Sequence, residues 1–224
     1  MRIPLTKFGL PQVAVYPLLT LVLMAVLFFA FRQGRWIIPV EIILLFVFIW
    51  MLSFFRDPAR DIINDETILY SPADGTITDI TMTDDSALGQ KALRIGMFLS
   101  VFNVHINRAP CSVRIESVTY KKGKFKNAMS GDSSRINESN DILMVRLAEP
   151  MDRLLVRQIS GAIARRIVCE AAEAGEYRQG EAFGMIKFGS RTELYLPSGG
   201  DYEVTVKIGD KVRAGLSPLI RFKP

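Results

Sequence analysis

A serine that follows a glycine, a single histidine and an aspartate in a turn are the residues of this chain that could combine into covalent chemistry. Ser190 lies between Phe188-Gly189 and Arg191. A serine hydroxyl is a weak nucleophile until a positioned base takes its proton, an assistance typically worth about 10²–10⁴-fold. The usual base is an imidazole whose tautomer is fixed by a carboxylate. The sequence offers one imidazole, His105, at the end of an apolar run, and Asp74 sits in the turn Ser71-Pro-Ala-Asp-Gly75. Gly189 leaves its own carbonyl open to attack and lets the backbone bend toward it. Each residue alone has a plainer account. A lone histidine is commonly a packed core residue, Asp caps turns, and Gly-Ser steps are commonplace. Together they predict a nucleophile (Ser190), a base (His105) and a supporting carboxylate (Asp74).

Composition narrows the partners. The 224 residues suffice for one well-buried domain and an anchor. Lys and Arg number 28 against 23 Asp and Glu, a modest positive balance suited to an anionic membrane surface. No basic run interleaved with aromatics points to nucleic acid. Cys111 and Cys169 lack metal-ligand spacing and read as free thiols, and one histidine disfavours zinc, so no metal is expected.

Residues 1–55 read as a membrane anchor of two apolar helices, and residues 56–224 as the catalytic domain. No charged residue occurs from Phe8 to Phe31, and only Glu41 is charged from Trp36 to Phe55. About 20 apolar residues in a helix cross a bilayer core. The short connection returns the chain to its starting side. Arg2, Lys7, Arg56 and Arg60 flank that side, against Arg32 and Arg35 at the tip. This bias predicts a catalytic domain on the cytoplasmic face of the cell membrane, with a re-entrant hairpin as the alternative.

Beyond the anchor the pattern is β-rich α+β. Short alternating runs, such as Thr76–Ile80, Val113–Tyr120, Ile142–Leu147 and Glu193–Leu196, are separated by turn residues. Arg94–Val104 reads as a buried strand region, Leu154–Glu173 as a strand with an undecided continuation, and Lys121–Asn140 as a long mobile loop. Ser71–Ile77 and Val206–Gly215 resemble the opening and closing of a lipoyl- or biotinyl-carrier fold, which implies barrel-like features in the core.

Five motifs occur in order: Phe54-Phe-Arg-Asp-Pro58, Ser71-Pro-Ala-Asp-Gly75, Phe98-Leu-Ser-Val-Phe-Asn-Val-His105, Gly123-Lys-Phe-Lys-Asn-Ala128 and Gly184-Met-Ile-Lys-Phe-Gly-Ser-Arg191. With Gln158-Ile-Ser-Gly-Ala-Ile-Ala-Arg-Arg-Ile167, they closely resemble the short bacterial and archaeal form of the phosphatidylserine decarboxylases. That resemblance implies a proenzyme that cuts itself between Gly189 and Ser190, leaving a β chain (1–189) and an α chain (190–224). It also implies that Ser190 becomes a covalent pyruvoyl group. This group forms a Schiff base with phosphatidylserine and acts as electron sink while carbon dioxide leaves. Phe102 stands where longer members carry a second histidine, so His105 acting twice, or water, are the two candidates for the final proton donor. Arg191 reads either as a holder of the lipid phosphate or carboxylate, or as a strand-end surface charge.

Two other classes share part of this pattern. A membrane-anchored adaptor would combine the apolar hairpin with a lipoyl-like barrel, but the heptads usual in such adaptors are missing. A serine hydrolase would use the same three residues, but the Gly-x-Ser-x-Gly elbow is missing.

Overall fold

The structure is a computed structural model. It describes residues 5–85, 88–129, 133–162, 166–187 and 189–223. Phe188, Gly131 and residues 163–165 of the Gln158–Ile167 motif therefore lie outside the described residues. The chain divides into two compact units, Met1–Ala59 and Arg60–Pro224.

The first unit is a helical hairpin of α1 (Gln12–Phe31) and α2 (Ile37–Phe54). Both are apolar almost all round, with Glu41 of α2 their one charged residue, and large side chains such as Leu18, Phe29, Ile42 and Phe46 are exposed. A helix apolar all round is one that lipid or protein must cover. Both helices are long and apolar enough to cross a membrane, which is compatible with membrane association. The Thr6 N–H donates to the Phe55 carbonyl at 2.9 Å, joining the two open ends of the hairpin.

The second unit is built of strands. In chain order they are β1 (Ile68–Tyr70), β2 (Gly75–Asp85), β3 (Gln90–Leu99), β4 (Ile106–Arg108), β5 (Val113–Lys121), β6 (Ser139–Arg146) and β7 (Arg153–Ser160). There follow β8 (Arg166–Cys169), β9 (Glu176–Tyr177), β10 (Ala182–Lys187), β11 (Ser190–Pro197), β12 (Tyr202–Val204), β13 (Lys211–Val212) and β14 (Pro218–Phe222). One short helix, α3 (Ser133–Ile136), precedes β6. An eight-stranded antiparallel sheet runs β13-β2-β3-β11-β7-β6-β5-β9, and two three-stranded sheets run β1-β14-β12 and β4-β10-β8.

The core lies between the large sheet and the two small ones. Strand alternation sends Ile95, Met97, Val156, Leu194 and Leu196 of the large sheet into one cluster with Leu69 of β1, Phe183 of β10 and Ile220 of β14. Full burial of a side chain such as Leu194 contributes about 1.5–3 kcal/mol.

Several expectations are corrected here. The two lipoyl-like segments do pair, Lys211 with Thr76 and Val212 with Gly75. The described strands nevertheless form open sheets, without a closed barrel, because β1, β12 and β14 hydrogen-bond to one another and not around the large sheet. The buried run Arg94–Val104 is not one strand. It stops at Leu99, where the Asn103 side chain accepts from the Ser100 N–H and hydroxyl at 2.9 and 2.8 Å and closes a turn. Of the Lys121–Asn140 loop, residues 121–129 and 133–140 are described. Strands β5 and β6 take both its ends, Lys124 bridges Asn137, and the Asn137 side chain donates to the Lys126 and Ser160 carbonyls, each at 2.8 Å.

Candidate active site

Gly189 stands where the chain leaves the β4-β10-β8 sheet and enters the large one. The change of sheet demands a sharp bend, and Gly189 supplies it with φ +65°, a conformation that side chains resist. Ser190, the first residue of β11, is flanked by Leu99 of β3 and Ser160 of β7. Its hydroxyl is fully buried and has no hydrogen-bond partner among the described residues. Leaving a buried polar group unpaired costs about 1–3 kcal/mol, so an orphan at this position calls for a chemical reason.

His105 arrives from the other side. The Ser100–Asn103 turn reverses the chain, and β4 then pairs with β10, Ile106 opposite Met185. The Ile186 N–H donates to the His105 carbonyl at 3.2 Å, and three residues later Gly189 falls beside the imidazole. The ring is completely buried. Its Nδ1 lies 3.0 Å from the Asn103 carbonyl oxygen, which can only accept, so Nδ1 carries the proton. The Nε2 lone pair accepts from the Gly189 N–H at 3.3 Å. An imidazole nitrogen able to take a proton thus sits one residue from the Gly189–Ser190 bond.

The Gly189 carbonyl has its own close neighbour. A Cβ placed on Gly161 would come within 2.2 Å of that oxygen, so residue 161 must be glycine for the chain to pass. Beside it an apolar cleft of about 260 Å³ is lined by Phe98, Val101, Phe102, Ala128, Ala162 and Gly189.

Asp74 and Arg191 are placed differently from Ser190 and His105. Both Asp74 oxygens accept from Arg60 Nη2 at 2.9 Å, and Oδ1 also accepts from the Ala214 N–H at 2.8 Å. The aspartate directly precedes β2, which β3 separates from β11. The Asn103 carbonyl is the acceptor that faces His105 Nδ1.

Arg191 alternates with Ser190 along β11 and projects from the opposite face of the sheet. There it lies over Gly96 and is held by Glu193 at 2.7 Å, by the Thr78 hydroxyl at 2.7 Å and by Asp79. Burial pushes the Asp79 carboxyl up, but the hydrogen bond and charge of Arg191, helped by Thr78 and Arg94, outweigh it and hold the group below its ordinary range. Arg191 is thus neither a surface charge nor turned toward Ser190.

Lys187, two residues before Gly189, is buried, and burial together with the charge of Arg166 lowers its ammonium pKa. Burial pushes the free Cys111 thiol up to about 12. Asn103 and Gly161 were missed as site residues. Both lie inside motifs that were legible in the sequence, but what they contribute, a carbonyl direction and the lack of a side chain, becomes visible only in three dimensions.

A buried serine whose hydroxyl has no partner among the described residues thus follows a glycine of positive φ, and the N–H of that glycine is bonded to a buried imidazole. The sequence profile of phosphatidylserine decarboxylase matches residues 47–219. The chain belongs to the phosphatidylserine decarboxylase family and is an enzyme of the carboxy-lyase class. It is 38% identical over 222 residues to the phosphatidylserine decarboxylase proenzyme of Rhodopirellula baltica, covering 99% of this chain and 89% of that one. It is 40% identical over 217 residues to the proenzyme of the same name from Solidesulfovibrio magneticus, covering 97% and 95% of the two chains. With the proenzyme of Syntrophus aciditrophicus it shares 37% identity over 221 residues, 97% of each chain.

Proposed function

We propose that this chain is a membrane-anchored proenzyme that cleaves itself between Gly189 and Ser190, converts Ser190 to a pyruvoyl group and decarboxylates phosphatidylserine to phosphatidylethanolamine by a Schiff-base route. The observation that carries this reading is the buried, unpartnered Ser190 hydroxyl next to Gly189, whose N–H is bonded to the proton-accepting nitrogen of His105.

His105 Nε2 takes the Ser190 hydroxyl proton as Oγ attacks the Gly189 carbonyl carbon. The Gly189–Ser190 amide breaks, an ester forms through Oγ, and the nitrogen leaves as the free amine of Ser190. Loss of the Ser190 α-proton then expels the ester oxygen with its electron pair. Gly189 ends as a carboxylate and residue 190 as dehydroalanine. Tautomerisation and hydrolysis by one water release ammonia and leave the pyruvoyl cap. The orphan hydroxyl fits this route, since a serine already bonded to a neighbour would have to give up that bond before attacking. The finished group supplies an electron sink for the loss of carbon dioxide, and no dissociable cofactor is needed.

Within this scheme Asp74 is a positioning residue. Its bridge to Arg60 and Ala214 holds the turn that opens β2, and β2 braces β3, the strand beside Ser190. The proposal gives Arg191 a structural duty. The α chain carries β11 to β14, and β11 lies between β3 and β7, so ladder hydrogen bonds keep the two products together after cleavage. The hairpin anchors the enzyme with the catalytic domain on the cytoplasmic face, a reading that rests on the flanking arginines and lysines.

Intact-mass measurement of the purified protein beside Ser190→Ala tests the reading. The expected result is two chains, with the α chain lighter than a serine-initiated peptide by the mass of one ammonia, and a single uncut chain for the variant. A single full-length chain in an active wild-type sample would overturn it.

A further inference from the structure

One rim of the Gly189 cleft is lined by Asn127 and Ala128, and the segment leading into them has an unusual surface. From Lys121 to Met129 it holds Lys122, Lys124 and Lys126, all exposed, and no acidic residue. Interleaved with these lysines, Phe125 is 39% and Met129 62% exposed, and Phe102 of the cleft lining is 67% exposed. These apolar groups are presented outward by a braced backbone. The Lys124 N–H donates to the Ile136 carbonyl, the Lys126 N–H to the Asn137 side chain and the Met129 N–H to the Asn127 side chain, at 2.8, 2.8 and 3.0 Å. Large apolar side chains held out of the core mark a surface that something covers. Lysines among them select an anionic partner, and aromatic and thioether groups beside lysines suit the headgroup boundary of a bilayer.

We propose that Phe102, Phe125 and Met129, with Lys122, Lys124 and Lys126, form a docking surface that seats the mouth of the Gly189 cleft on an anionic phospholipid bilayer. The proposal rests on the reading that the substrate is a phospholipid. An anionic lipid with two acyl tails must leave the bilayer to reach a buried residue 190. A rim that inserts apolar side chains at the cleft mouth shortens that passage, and its lysines concentrate anionic lipid there. The surface would work beside the apolar hairpin, which supplies the anchoring, and would set how the cleft meets the lipid.

The test uses full-length Ser190→Ala protein reconstituted in vesicles, so that neither cleavage nor turnover alters the readout. A fluorescent label is placed at Met129→Cys, with Cys169→Ser removing the more accessible thiol, and a reference label at Ile208→Cys, a site 63% exposed in wild type. Vesicles contain acyl-chain doxyl quencher in phosphatidylcholine, with or without phosphatidylglycerol. The expected result is quenching at position 129 and not at 208, strong with phosphatidylglycerol and weak without. Combined Lys122→Gln, Lys124→Gln and Lys126→Gln should lower the docked-to-free ratio by up to about a hundredfold, each lysine near an anionic surface contributing about fivefold. Equal exposure of both labels in every vesicle would overturn the proposal, as would quenching that ignores phosphatidylglycerol and the lysines. Shielding at 129 that instead rises with protein concentration would assign the surface to a second copy of the chain and also overturn it. Failure of the pyruvoyl reading would show in the wild-type mass spectrum and leave this result untouched.

Discussion

The Nε2 atom of His105 accepts a hydrogen bond from the Gly189 N–H at 3.3 Å, beside the Gly189–Ser190 bond at which cleavage is proposed. At that length the contact is weaker than a typical N–H hydrogen bond, and the lone pair is readily surrendered to a better donor. His105→Ala removes the proton acceptor while leaving the Ser190 hydroxyl in place. Self-cleavage should slow by about 10²–10⁴-fold, followed as the loss of full-length chain on a gel. Wild-type cleavage in that variant would remove the imidazole from the mechanism.

Gly161→Ala should stall processing without touching any group that moves a proton. Its methyl would meet the Gly189 carbonyl oxygen at 2.2 Å and force the scissile carbonyl to shift. Gly199→Ala is the control, because nothing lies within 4 Å of a Cβ there. Both proteins should purify folded, with precursor accumulating only for Gly161→Ala. Equal rates of cleavage would show that the close approach has no bearing on attack.

Arg191→Ala should act on stability. Removing one partner of a buried ion pair costs about 3–5 kcal/mol, and here Asp79 and the fully buried Glu193 lose their shorter ion pair and keep only Arg94 among the described residues. A fall in the thermal midpoint, with an unchanged KM in whatever enzyme remains folded, is the expected pattern. A raised KM at undiminished stability would return Arg191 to the substrate.

Acid should weaken the folded domain through Asp79 and Asp141. For Asp141, burial raises the carboxyl pKa, but hydrogen bonds and charge from Arg157 and then Lys121 prevail and lower it. A carboxyl depressed in the folded state stabilises fully above its unfolded pKa, about 4, and that stabilisation is lost as pH falls through the folded value. The thermal midpoint should therefore drop steeply below about pH 4. Asp141→Asn should start lower at neutral pH and flatten the profile. A variant profile as steep as wild type would assign the acid sensitivity elsewhere.

Asp74→Asn weakens the bridge to Arg60 and should slow cleavage less than loss of His105, with Arg60→Ala reproducing the effect. Rapid processing in both would confine the bridge to stability.

Much of the fold is legible in the sequence alone. The apolar runs of residues 8–31 and 36–55, with Glu41 their one charged residue, read as apolar helices, and α1 and α2 fall within them. Alternation located β5, β6 and β11, because a strand with distinct environments on its two faces writes a period of two into the sequence. Where that period was blurred, as at Ile159-Ser-Gly-Ala-Ile163, the continuation stayed undecided. The chain there ends β7 and passes Gly161 against Gly189, a contact between residues 28 positions apart. Local turn chemistry could not decide between a barrel and open sheets, since both share it and closure is a property of long-range pairing.

For the site, the sequence by itself determined which atoms could react. A single imidazole, a Gly-Ser step and the surrounding motifs name His105, Gly189 and Ser190 without reference to any fold. Only the tertiary structure decided how those atoms are held. It set the proton on Nδ1 by aiming the Asn103 carbonyl at it, and it left the Ser190 hydroxyl without a partner among the described residues. It turned Arg191 to the opposite face of β11 and bound Asp74 to Arg60. The physical reason is that reactivity belongs to a residue's own chemistry, whereas tautomer, burial and ion pairing depend on partners that the chain brings together from distant positions.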